Sequence, residues 1–252
     1  MLIASLVNNH DVLNACLRQS PDIRTSRTPL IVVENPARVA CLNAVLQDTS
    51  SIVACVHQDV YLPTGWLDKV NQSIQELDNV HPHWGVLGVW GITNTGSFVG
   101  RTWCNGGQRE HIGQRVSLPS EVSSIDEIVI ILNPKANLRF DDQLPGFHLY
   151  ATDICLQAAE KGYKNFVIDA PVVHNSKTSP VLDPTYYDSY RYMQVKWHHR
   201  LPVLTCVMPI TRWGMPTWRR RAQDWKRKWF NPREIRPRHP APSQLARELG
   251  YE

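Results

Sequence analysis

The order of apolar segments predicts an α/β fold, with a mostly parallel central sheet flanked by helices. Three strand–helix pairs fill about the first 80 residues, which describes a βαβαβ unit. Their strands are short continuous apolar runs, the pattern of strands covered on both faces. The clearest is 52–56, IVACV, which runs straight into His57, Gln58 and Asp59. A carboxylate just past a buried strand stands at the carboxyl edge of the sheet, where open α/β folds bind ligands. No Lys or Arg lies within seven residues of Asp59 on either side, so no local ion pair accounts for it. A metal ion or a hydroxyl-rich ligand would.

Taken in order, 2–7 is an apolar strand ending at Asn8, and 12–19 has helical spacing with Asp11 as its N-cap. Residues 29–33 (PLIVV) form the second strand, ending at Glu34 and Asn35, and 37–46 reads as a helix with Ala40, Leu42 and Val45 turned inward. After the central strand, 67–77 is amphipathic, with Val70, Ile74 and Leu77 on one face. From Trp84 the texture changes. WGVLGVWGI is a strand with glycines where something approaches closely, and 93–120 is a loop or hairpin. Residues 125–132 (IDEIVIIL) are another buried strand, and RFDDQLPGF leads into a helix over 149–161. A strand over 163–168 and the run VVH, closing at His174, follow. A helix around 186–199, a basic stretch and a Pro-rich tail frayed beyond Pro232 complete the chain. The expected division is a domain over 1–180, a helical, basic, Trp-rich extension over 181–231 and a flexible tail over 232–252.

Composition narrows the function. Apolar content of 42% and charged content of 20% mark a globular protein rather than a disordered or fibrous one. No apolar run approaches the roughly 20 residues that span a bilayer. The start, MLIASLVNNHD, lacks a signal peptide's basic region, so a cytoplasmic location is expected. The six cysteines are scattered without a CxxC pair, which argues for reduced thiols rather than zinc or disulfides. Residues 212–238 hold ten Lys or Arg against Asp224 and Glu234, so the rest of the chain carries a net −4 out of the formal +4. An acidic body with a basic end excludes a uniformly basic nucleic-acid binder.

Two side chains stand out as a pair. Asp59 and His174 each follow a short apolar run and each begin an irregular stretch. In one sheet they emerge on the same edge, where they can hold a divalent ion with positions left for water and phosphate oxygens. The alternative makes Asp59 a turn cap and His174 a core histidine. Asp153, at the start of an apolar-faced helix, is either a first-turn charge in the helix dipole or a general base, with His148 five residues before it.

Together, HQDVYLPTGW, GVLGVWG, RFDDQLPGFHLYATDICLQAAEKGYK and VVHNS, in this order, resemble the nucleotide-sugar-dependent glycosyltransferases of the GT-A fold. The likeness is closest to family-2-type bacterial enzymes of cell-surface glycan or antibiotic pathways, and covers about residues 1–180. It implies a GT-A-like sheet, a nucleotide-sugar donor, a glycan or lipid-linked acceptor, inversion at the anomeric carbon and a divalent metal, Mn2+ or Mg2+. The family's DxD triad falls on His57, Gln58 and Asp59, which implies Asp59 as the metal's contact, and its later histidine falls on His174. The acidic helix start that supplies the base in relatives falls on Tyr150, Ala151, Thr152 and Asp153, where only Asp153 is acidic. The base is therefore Asp153 or His148. The resemblance also points to Asn8, Glu34, Asn35 and, more weakly, Asn43 for the nucleoside. Trp66 could stack on sugar or acceptor and Lys177 could reach the diphosphate, each against a purely structural role.

The basic end carries Trp218, Ala222, Trp225 and Trp229 on one helical stripe, with Arg219, Arg220, Lys226 and Arg227 around it. This fits a helix in the interface of an anionic membrane through 212–230, making the protein peripheral at the inner face. It equally fits tryptophans packed on the body. A different reading of the whole chain is a non-catalytic module of the same fold that binds a nucleotide sugar or glycan; the missing acids at Tyr150 and Ala151 favour it. A nucleotidyltransferase would need a glycine-rich basic loop after the first strand, and SLVNNHD is not one.

Overall fold

The structure, a computed structural model, describes residues 1–105, 113–177, 181–230 and 236–252. Along the chain the strands are β1 (Leu2–Val7), β2 (Leu30–Glu34), β3 (Val53–Val56), β4 (Val60–Tyr61), β5 (Trp84–Gly88), β6 (Trp90–Ile92) and β7 (Phe98–Gly100). They continue with β8 (Thr102–Cys104), β9 (Ser120–Val122), β10 (Ser124–Ile125), β11 (Val129–Leu132), β12 (Lys164–Val167) and β13 (Val172–His174). The helices are α1 (His10–Ala15), α2 (Pro21–Arg24), α3 (Asn43–Gln47), α4 (Trp66–Val80), α5 (Tyr150–Glu160), α6 (Thr185–Lys196), α7 (Met215–Phe230) and α8 (Pro242–Glu248).

Among these residues the main sheet has the order β2-β1-β3-β11-β5-β12-β9. β1 pairs parallel with β2 and β3, and β5 with β12, while β11 and β9 run against them. Five of the seven strands therefore point one way, the mostly parallel α/β sheet that the apolar runs predict. Helices cover both faces. One core layer joins α5, α6 and the 203–210 segment to the sheet, and another packs α4 against the opposite face. The first layer takes residues from both sides of the boundary expected at 180, so the body and the extension share one core there. Residues 178–180 lie outside the described ones.

Several elements differ from the sequence reading for local reasons. Asn9, not Asp11, caps α1, its side chain accepting the Val12 N–H at 3.1 Å. The helix expected over 37–46 is a 3₁₀ turn, Val39–Leu42, followed by the short α3. The strand expected over 125–132 breaks at residues 126–128, where the chain leaves a small sheet of β6, β7 and β10 to enter the main one. The loop expected over 93–120 contains β7 and β8, its residues 106–112 lying outside the described ones.

The tail expected to fray over 232–252 is built into the fold from residue 236 onward; residues 232–235 lie outside the described ones. Tyr251 is fully buried and packs with Tyr61, Trp103, Val173 and Leu245. Tyr61 Oη donates to Glu252 (3.0 Å), Lys69 Nζ to the Tyr251 carbonyl (2.8 Å), and Asn175 brackets His239 with two backbone contacts of 2.9 and 2.7 Å. Replacing Tyr251 by Ala should cost about 3 kcal/mol by emptying that slot, as for other buried aromatics. Urea unfolding of the variant measures it, and a loss under about 0.5 kcal/mol, the scale of a neutral surface change, would mean the tail does not hold there.

Candidate active site

The loops after β1, β2 and β3 lie side by side because those strands are parallel and in register, Val7 beside Glu34 and Ala4 beside Cys55. Gln58 ties two of them together. Its Oε1 accepts the backbone N–H of Asn8 (3.2 Å) and Asn9 (3.0 Å), and its amide donates to Asn8 Oδ1 (2.6 Å). The pairing of β4 with β13 sets His174 opposite Val60, and the Asn175 N–H donates to the Asp59 carbonyl at 2.8 Å. That register carries the His174 ring to Asp59, with Nε2 3.3 Å from Oδ1. The His57 ring stands edge-on to it, centroids 5.6 Å apart. Asp59 and His174, 115 positions apart in the sequence, do converge, but not as edges of one sheet: β3 belongs to the main sheet, while β13 pairs with β4 and β8 in a small one, and it is the β4 pairing that brings His174 over.

The charges around this cluster are strongly coupled. Burial alone would raise the Asp59 carboxyl, but the His174 imidazole overrides it and holds Asp59 well below the carboxylate range. Burial likewise opposes charge on His174, and Asp59 with Cys104 outweighs it, so His174 is raised well above an ordinary histidine. His57 moves the other way: burial, helped by His174, pushes it down to about 4 and keeps it neutral at neutral pH. Its Nε2 shares a 2.7 Å hydrogen bond with Tyr150 Oη. A buried ion pair adds little net stability, because desolvation consumes most of its attraction. Such a pair at a sheet edge points to a role beyond folding.

The cluster fits a divalent metal ion. Ligand atoms of His57, Asp59 and His174 lie within 4.8 Å of one another. Donors facing each other across an ion at about 2.1–2.2 Å stand roughly 4.4 Å apart, so a small closure suffices. Two imidazoles and one carboxylate suit first-row divalent ions and leave positions open. Cys104 Sγ, 3.4 Å from His174 Nδ1, fixes that ring so that Nε2 faces Asp59, the arrangement in which an outer partner orients a ligand.

A cavity of about 230 Å³ opens beside the cluster, lined by Asn8, Leu42, His57, Asp59, Phe147 and Tyr150. Its apolar walls and polar mouth suit a flat ring bearing a charged substituent. Glu34 lies exposed at the end of β2, 3.6 Å from His10 and outside the cavity lining, and Asn35 takes a left-handed φ of 43° while its N–H donates to the Val7 carbonyl at 2.8 Å. Lys177 is exposed three residues past His174.

Three expected site residues are used elsewhere. Asp153 is 1% exposed and saturated: Oδ1 takes Trp197 Nε1 (2.8 Å) and Lys196 Nζ (2.7 Å), and Oδ2 takes Gln157 (2.7 Å). It anchors α6 to α5, both its oxygens committed to donors from Trp197, Lys196 and Gln157 in a buried position. Trp66 is buried with its indole N–H on the Ala170 carbonyl, a core residue rather than a sugar platform. Asn43 spends its amide on Phe140, donating to its carbonyl (2.8 Å) and accepting its N–H (2.9 Å), which pins the RFDD loop. His148 is half-buried, its ring packed on Tyr186 and its Nε2 3.9 Å from Asp183. Burial lowers its pKa against the pull of Asp183.

Two residues given no role by the sequence stand against site side chains, Glu127 through its carbonyl to Tyr150 Oη (3.4 Å) and Arg238 beside Asp59. Glu127 lies in the corner between β10 and β11, and its Oε1 accepts the Leu149 N–H at 2.7 Å. Leu149 starts α5 with a left-handed φ of 64°, an uncommon conformation for a leucine, held here by that carboxylate. The Glu127 carboxylate thus occupies the helix start where Tyr150 and Ala151 bring no acid. Burial, helped by Asp126, pushes its pKa up to about 8. The signal was present: as with Asp59, no Lys or Arg lies within seven residues of it. The second is Arg238, whose Nη2 is 3.8 Å from Asp59 Oδ2 and whose buried Nε has no partner among the described residues.

No family model matches the chain. A curated relative, "ATP synthase subunits region ORF 6" of Fuscovulum blasticum, is 25% identical over 167 residues, covering 62% of this chain. The chain spans 64% of that relative's length. Among solved structures, TarS of S. aureus in complex with UDP-GlcNAc is similar at 13% identity and a TM-score of 0.48, over 81% of this chain and 67% of that one. Mannosyltransferase PcManGT from Pyrobaculum calidifontis, in complex with GDP-Man and Mn2+, is similar at 11% identity and a TM-score of 0.41, over 99% of this chain and 69% of that one. GalNAc-T7 with UDP, GalNAc and Mn2+ is similar at 8% identity and a TM-score of 0.46, over 77% and 47%. These are likenesses of overall shape.

The donor set makes a direct prediction. Mn2+ at 100 times its Kd should stabilise the protein by about 2.7 kcal/mol, a shift readable by differential scanning fluorimetry. Asp59→Asn and His174→Ala should each remove that shift. An undiminished shift in both variants would place the ion elsewhere.

Proposed function

We propose that this protein is a glycosyltransferase that moves a sugar from a nucleotide-diphosphate donor to a hydroxyl of a glycan or lipid-linked acceptor. The observation that carries the reading is the His57–Asp59–His174 cluster at the mouth of a cavity with apolar walls, on the carboxyl edge of the sheet. His57, Asp59 and His174 would hold Mn2+ or Mg2+, which when bound neutralises charge on the leaving diphosphate. The cavity takes the nucleoside, with Asn8 in its lining and Glu34 and Asn35 outside it at the end of β2. Arg238 adds a second positive charge beside Asp59, and Lys177 stands on the exposed chain leaving His174.

Transfer requires the acceptor oxygen to bond to the anomeric carbon as the carbon–phosphate oxygen bond breaks. The acceptor's proton must go to a base within about 3 Å. Asp153 is sequestered, so the base is Glu127, held by the Leu149 N–H; His148 lines the acceptor side. A single displacement with one base inverts the anomeric configuration.

Glu127→Gln keeps the shape and the hydrogen bond to Leu149 but cannot take a proton. It should bind nucleoside diphosphate normally and lose about 10²–10⁴ in kcat. The wild-type rate should climb with pH and level off above about 8, and a variant that keeps full activity and the same profile would remove Glu127 from the mechanism. His148→Ala alone abolishing turnover would move the role to that histidine.

The same carboxyl makes a stability prediction. Its folded pKa of about 8 exceeds its ordinary 4.5, so between those values the folded protein holds a proton that the unfolded chain has released. Stability contributed by this group is present at low pH and falls as pH rises through that window. Urea unfolding at pH 5 and pH 8 should show a smaller fall for Glu127→Gln than for wild type; equal slopes would contradict the assignment.

A further inference from the structure

A helix docked on a soluble body normally buries its apolar stripe and gives its charges to water. α7 does the reverse. Its inner contact is Asp224, buried, which accepts the Leu182 N–H (3.3 Å) and Tyr187 Oη (3.4 Å) and pairs with Arg220 at 2.9 Å. Arg227 completes that polar seam, 3.8 Å from the same carboxylate. The aromatic stripe faces out. Trp218 is 78% exposed, Trp225 and Trp229 lie along the same line, Phe230 ends it at 75%, and Trp213, two residues before the helix, is 80% exposed. The two alternatives left open by the sequence are thereby separated, because Trp213, Trp218 and Trp225 present most of their surface to solvent.

The surrounding cations are also unspent. Arg191, Arg212, Arg219, Arg221 and Lys226 have no carboxylate partner among the described residues. Arg212 and Arg221 only lean on aromatic faces, over Trp213 and Tyr187. A groove of about 580 Å³ between α6 and α7 is lined by Arg191, Arg212 and Arg221 and opens beside Trp213 and Trp218. Bare indoles cost free energy in water, and indole with its N–H settles at a membrane's headgroup level. Free guanidinium groups at the same level match lipid phosphates. No helix among the described residues is long and apolar enough to cross a bilayer, so the mode is surface docking.

We propose that α7 and the α6–α7 groove form a membrane-docking face, with the tryptophans entering the interface and Arg191, Arg212 and Arg221 holding the phosphates of anionic lipid headgroups. This stands on the exposed face alone and holds or fails independently of the transferase reading. The shared chemistry of stripe and groove favours a bilayer over nucleic acid: stacking on bases would use the indoles, but Met215 and Phe230, both exposed, extend an apolar rim that only lipid rewards.

The test is flotation of the full chain with phosphatidylcholine vesicles containing or lacking about a third phosphatidylglycerol, with tryptophan fluorescence read in parallel. The protein should float only with the anionic vesicles, with a blue shift and a loss of binding as salt rises. The double variant Trp218→Ala/Trp225→Ala should lower partitioning at least tenfold at unchanged circular dichroism. Arg191→Gln/Arg212→Gln should lower it by roughly thirtyfold on the anionic vesicles, two charges' worth of lipid attraction. Three results would overturn the assignment: no flotation of the wild type; flotation unchanged in both variants; or no flotation together with a concentration-dependent dimer that the tryptophan variant dissolves, which would give the face to a second copy. Binding to a DNA or RNA duplex but not to vesicles would overturn it equally.

Discussion

The antiparallel pairing of β4 with β13 is the constraint on which the site depends. A strand of two residues, Val60 and Tyr61, carries little energy of its own, yet its register decides that His174 lies against Asp59. Slipping it by one residue would turn His174 to the other face of the sheet and leave Asp59 buried without its neighbour. The pair's shifted pKa values, one down and one up, describe a carboxylate and an imidazole already arranged as opposite charges. That register is braced by β8, which pairs with β13 along its length, and by the C-terminal segment. The latter packs Tyr251 and α8 onto β13 and clamps Asn175, the residue after His174, between two contacts with His239. The same segment delivers Arg238 to Asp59, so the chain's last residues both brace the cluster and contribute to it.

Around the cluster, carboxylates have been sorted by environment. Asp59 is held low because imidazole stands beside it, and Glu127 is pushed towards neutrality by burial and by Asp126. Groups of one chemical type driven apart in pKa are a common mark of divided labour in a site. The polar seam under α7 spends an aspartate inside so that indoles are left outside.

Much of this was legible in the sequence, and what was not has physical reasons. Short strands announce themselves as unbroken apolar runs, so β1, β2, β3 and β13 and the positions of Asp59 and His174 could be read directly, although β2 is a half-exposed edge strand rather than one covered on both faces. Asp153 was misread because a helix start shows its own first turn and nothing of Lys196 or Trp197, over 40 positions away, which claim its oxygens. Trp66 and Asn43 failed for the same reason: their partners, Ala170 and Phe140, are remote in sequence. Glu127 was hidden inside IDEIVIIL, which reads as one strand when its middle is a corner between two sheets. The Pro-rich composition of the tail speaks for local stiffness and polarity; it is silent on the slot that receives Tyr251.

The most direct test of the account is anomalous diffraction from crystals soaked in Mn2+ with a nucleoside diphosphate. The account requires a peak within about 2.2 Å of Asp59 and His174, with phosphate oxygens completing the shell. Diphosphate bound in the cavity with no anomalous density there, or manganese density away from these side chains, would contradict it.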